Sequence, residues 1–86
     1  MIQRIYSIRD AAAEYYMQLI LQKTEGEAIR TFTTLVRDQN TSIAQNPEHY
    51  DLYYLGEFDD CEGKITTLDT PRHIMKAVHA KAVTDM

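Results

Sequence analysis

A chain of 86 residues, 44% of them hydrophobic and 26% charged, is the size of one domain with one modest core and leaves no room for a second. Its net charge of −4 excludes strong unspecific attraction to polyanions, its single cysteine excludes an intramolecular disulfide and fits a reducing compartment, and no apolar run approaches the roughly 18 residues that cross a bilayer. A chain this small buries only about 60–65% of its unfolded surface, so support from a second copy, a homo-oligomer, is expected.

The first segment, IQRIYSI, is rich in β-branched and aromatic residues and predicts a strand; Arg4 and Arg9 precede no apolar core, so this is not a secretory signal. The next segment, AAAEYYMQLILQK, is ambiguous. Ala13, Tyr15, Met17, Leu19 and Leu21 alternate with polar residues as in a strand, while Glu14, Gln18 and Gln22 recur every fourth position and the alanines favour a helix. A helix over about 25–38 is clear. Thr24 stands three residues before Glu27, the spacing of a reciprocal cap, and Ala28, Ile29, Phe32, Leu35 and Val36 form one apolar stripe. NPEHY reads as a turn, with Pro47 suited to start one turn of helix. From Asp51 a strand is predicted in which Leu52, Tyr54, Gly56 and Phe58 share one face; DDCEGK closes a hairpin at Gly63, and KITTL returns. A second helix is predicted over 71–83, capped by Asp69 or Thr70 with Pro71 at its first position.

Chemistry finds little to work with. Asp59, Asp60, Glu62 and Asp69 lack the alternate-position oxygens and distant glutamate of a calcium loop, so they read as a solvated hairpin tip. Cys61 sits among acids that would raise a thiol pKa, the wrong direction for a nucleophile. His73 and His79 do not share a helical face, His49 is alone, and Gly26, Gly56 and Gly63 are too scattered for a phosphate loop. No enzyme signature, metal site or cofactor site is expected. What remains is six tyrosines and two phenylalanines, several beside basic residues, the residue types that stack on bases and neutralise phosphates in single-stranded nucleic acid. Tyr15–Tyr16 and Tyr53–Tyr54 would each turn one ring to either face of a strand, and Tyr6 lies between Arg4 and Arg9. Residues 1–37, 38–69 and 70–86 carry net charges of +1, −7 and +2, so a fold that gathers the two ends would oppose a weakly basic face to an acidic one.

The segments RIYSIRDAAAEYY, TEGEAIRTFTTLVRD, NPEHYDLYYLGEFDDCEGKI and TPRHI, in this order, cover nearly the whole chain. They resemble the small nonstructural DNA-binding protein of gokushoviruses, single-stranded DNA phages of the microvirus family. That family tends to carry a proline and aromatics where this chain has MQLIL, which favours a strand at 13–22 even though the proline is absent here. The expected fold is therefore α+β, in the order ββαββα, with both helices on one face of a four-stranded antiparallel sheet. The resemblance implies a role in the bacterial host cytoplasm, in the passage from duplex replication to single-strand production or packaging. Arg4, Tyr6, Arg9, Tyr15 or Tyr16, and Tyr53 or Tyr54 are the expected contacts to single-stranded DNA, with Arg30, Arg37 and Arg72 as secondary phosphate partners. The alternative is a homo-oligomeric adaptor for capsid or replication proteins that touches no DNA.

Overall fold

The computed structural model describes the backbone of residues 1–84 and the side chains of residues 1–80. Four strands, β1 (Ile2–Asp10), β2 (Tyr15–Gln22), β3 (Tyr50–Asp59) and β4 (Lys64–Lys76), form one antiparallel sheet in the order β2-β1-β3-β4. Helix α1 (Glu25–Arg37), the short helix α2 (Ser42–Gln45) and helix α3 (Ala77–Thr84) are the helices of the described residues, with a 3-10 turn at Pro47–His49. The order ββαββα is the one expected, and segment 13–22 is a strand from Tyr15. No helix of the described residues is long and apolar enough to cross a membrane.

Both longer helices pack on the sheet face that carries Tyr6, Ile8 and Leu52; Ala28, Phe32 and Val36 of α1 and Ala77 and Ala80 of α3 close the core against them. Ile43 of α2 and Tyr50 seal its end. Helix α1 starts as its sequence dictates: Thr24 Oγ1 accepts from the Glu27 amide at 3.2 Å, satisfying a donor that the helix itself cannot. Thr41 does the same for α2 through the Ala44 amide.

Two ββα halves build the molecule, and their central strands β1 and β3 lie side by side. Each half turns its hairpin in the same way. Asp10 and Asp59 accept from the amides two and three residues on, and their carbonyls accept from Glu14 and Gly63 at 2.8 Å, both in the left-handed region at φ 61° and 66°. No sequence repeat announces this duplication, because it resides in backbone geometry and not in matched side chains.

The sheet departs from the sequence pattern at its bulges. Ile5 pairs with Gly56 but Tyr6 with Tyr54, so Leu55 is an extra residue. Gly56 and Phe58 consequently fall on the face opposite Leu52 and Tyr54, which corrects the expected single face. Opposite this bulge, β4 makes a larger excursion over residues 68–71, since Tyr54 pairs with Arg72 and Gly56 with Thr67. The second helix was expected from Pro71, yet the strand runs through it to Lys76 and α3 begins only at Ala77. Pro71 is tolerated because it sits in the excursion, where no ladder donor is required.

Candidate nucleic-acid interface

The face away from the helices is open, and the pairing arranges it in rows. One row runs Leu19, Ser7, Tyr53, His73; the next runs Tyr16, Arg9, Asp51, Lys76. Ser7 is fully buried at the centre, its hydroxyl donating to the Met17 carbonyl at 2.9 Å, where β2 bulges. Around it the rings gather. Tyr16 and Tyr53 meet edge to face with centroids 5.7 Å apart, and Tyr53 meets His73 likewise at 5.3 Å. The Arg9 guanidinium lies 5.9 Å from the Tyr16 centroid and has no carboxylate partner among the described residues. Asp51 brings a negative charge into this group, and His73 Nε2 lies 2.6 Å from its Oδ2. Arg9, Ala11, Asp51 and Tyr53 surround a shallow hollow of about 70 Å³. The other end of the open face is apolar, with Leu21, Phe58 and Ile65.

A second aromatic-basic group lies on the helix side of the sheet. Tyr54 is flanked by the Arg4 guanidinium at 5.7 Å and that of Arg72 at 5.1 Å, and it leans on the Tyr6 ring at 5.1 Å. Arg72 Nη2 donates to Glu25 Oε1 at 3.2 Å, so its charge is already met at the start of α1. Tyr6 is fully buried, which removes it from the expected contacts: a ring sealed in the core cannot stack on a base. Its hydroxyl makes no hydrogen bond of regular geometry among the described residues, but the Arg4 guanidinium lies close enough to act on it. Burial pushes this phenol up, and the neighbouring Arg4 guanidinium opposes the rise.

The expected residues thus divide. Arg9, Tyr16 and Tyr53 come together on the open face, while Arg4, Tyr54 and Arg72 form the second group. Tyr15 is exposed at the β2 edge, and Arg30 and Arg37 are exposed on α1, across the sheet from the open face. Sequence reasoning passed over His73 and Lys76 because it placed them in a helix. The extended bias of the residue before Pro71 and the β-branched run ITT were the signals for a longer strand.

The acidic hairpin tip is occupied by the chain itself. The Met1 ammonium lies 2.8 Å from Asp60 Oδ1 and 3.1 Å from Cys61 Sγ, and Gln3 donates to Asp60 Oδ2. Asp59, Asp60 and Cys61 offer ligand atoms within 4.8 Å of one another, but Asp59 caps the turn and the other two hold the N-terminus. The hydrogen bond from the ammonium holds the Asp60 carboxyl below its ordinary range, and Asp60 in return raises the ammonium from 8.0 to about 10.

No curated protein and no solved structure matches the chain. A family model described as Phage ORF5 protein matches residues 3–80, and with nearly its whole length covered the chain belongs to that phage protein family.

Proposed function

We propose that this phage protein binds single-stranded DNA on the open face of its sheet and acts, as a nonstructural protein of a gokushovirus-like microvirus, in genome replication or packaging in the host cytoplasm. Binding is its whole activity in this reading, with no catalytic residue, metal or cofactor. The observation that carries it is the cluster of Arg9, Tyr16, Tyr53 and His73 on a face that no helix covers. Planar rings there can take up bases, each stack being worth about 1–3 kcal/mol, while Arg9 and Lys76 meet phosphates. Asp51 and the net charge of −4 keep the unspecific electrostatic component small, so binding is stacking-led with a shallow dependence on salt. Membership of a phage family and the resemblance noted in the sequence agree with this role.

Fluorescence anisotropy with labelled single-stranded oligonucleotides tests it. Saturable binding that weakens as salt rises is expected, with Arg9→Ala reducing the salt slope by about 1. Flat curves at tens of micromolar protein would refute it. Those curves would favour the second reading, an adaptor for capsid or replication proteins, which the apolar end of the open face, with Leu21 and Ile65 exposed, supports.

A further inference from the structure

We propose that β2 is a homodimer interface: two copies pair this edge strand antiparallel about a two-fold axis, joining their sheets into one of eight strands. The two edges of the sheet differ in a telling way. β4 is guarded by Lys64, Asp69, Arg72 and Lys76, by Pro71 and by its excursion, the usual devices that stop a strand from pairing further. β2, Tyr15 to Gln22, has no charge and no proline, and it leaves Tyr15, Leu19 and Leu21 exposed at 53%, 61% and 43%.

Pairing the full length of β2 with its own copy sets Tyr15 opposite Gln22, Tyr16 opposite Leu21 and Met17 opposite Ile20. In a regular strand of eight residues this register would oppose residues from different faces, and it would fail. The bulge brings the two strands back into phase on either side of the centre, where Gln18 of each copy lies opposite Leu19 of the other. Ser7 pairs with Leu19 and Arg9 with Tyr16, so β2 carries one extra residue at Met17–Gln18. Tyr16 and Leu21 therefore share the open face, and Met17 and Ile20 both pack toward the core. The same register places Glu14 of one copy against Lys23 of the other at both ends of the paired strands. Neither residue has an ion-pair partner among the described residues, so the charges just outside the neutral strand are complementary to themselves. A mostly apolar cavity of about 630 Å³ also opens beside β2, between Met17, Ile20, Leu35 and Ile43. The partner strand would lie along its mouth.

Sedimentation velocity on the full chain, without DNA, tests the proposal over a micromolar concentration series. A particle of twice the 10.0 kDa chain mass is expected. Leu19→Lys should give a monomer whose circular dichroism matches the parent. Glu14→Lys should weaken the dimer about tenfold by opposing like charges at both ends, and adding Lys23→Glu should restore it. A monomer at every concentration would overturn the proposal, as would a dimer indifferent to both Leu19→Lys and the charge exchange. Because no nucleic acid is involved, a monomer that binds oligonucleotides would leave the proposed function standing, and a dimer that does not bind them would leave the interface standing.

Discussion

A Cβ on Gly56 would lie 2.2 Å from the Thr66 carbonyl oxygen and 2.8 Å from the Thr67 Cα, both main-chain atoms of β4. Gly63 differs: nothing lies within 4 Å of its absent Cβ, but its φ is +66°. Gly56→Ala should therefore cost about 3 kcal/mol through forced strand separation, and Gly63→Ala only about 1 kcal/mol through backbone strain. Urea unfolding midpoints measure both, and equal losses would contradict the distinction. At Tyr6 the buried hydroxyl has the Arg4 guanidinium beside it but no hydrogen bond of regular geometry among the described residues. Tyr6→Phe should change stability by less than about 1 kcal/mol, because the hydroxyl has no well-formed hydrogen bond to lose, and should leave oligonucleotide affinity unchanged. A large loss of affinity would return Tyr6 to the binding surface. The sequence showed that tyrosines and arginines alternate near each other, but the direction in which each ring faces depends on bulges at Leu55 and Met17–Gln18 that no local residue pattern reveals.

Helix α1 was legible because its signals are local: a cap at Thr24, acids in the first turn, Arg37 in the last and an apolar stripe of the right period. Thr24→Ala should cost about 1 kcal/mol, read again by urea unfolding. The C-terminal helix was misplaced for an equally physical reason. Pro71 after Asp69 and Thr70 satisfies every local rule for a helix start, yet pairing with β3 holds Arg72 to Lys76 extended. Tertiary pairing outweighed local preference there. At the hairpin element, the N-terminal ion pair makes a pH-dependent clasp. The Asp60 share of its stabilisation is present above the ordinary carboxyl value of 3.8 and is lost as pH falls through the lowered folded value. The ammonium share is fully present below 8.0 and is lost as pH rises through about 10. Asp60→Asn should return the amine toward 8.0, measured by the pH dependence of amine-selective labelling. An amine that still titrates near 10 would show that another group sustains it.

At the scale of the molecule, the ββαββα order rested on the family resemblance, which decided for a strand at 13–22 where the residue pattern alone did not; given that order, both helices were placed on one face because each amphipathic helix must cover an apolar sheet face. The distribution of cations did not follow. The sequence segregates its charge into a basic start, an acidic middle and a basic end, but folding sends Arg9 to one face of the sheet, Arg4 and Arg72 to the other and Arg30 and Arg37 onto α1. Among the described residues, the face left open by the helices joins Tyr16 and Tyr53 to Arg9, an arginine without a carboxylate partner. Chemical-shift mapping of the labelled protein with a single-stranded oligonucleotide tests this most directly. The largest changes are expected at Arg9, Tyr16, Tyr53 and His73; changes concentrated on α1 around Arg30 and Arg37 would overturn the assignment of the open face.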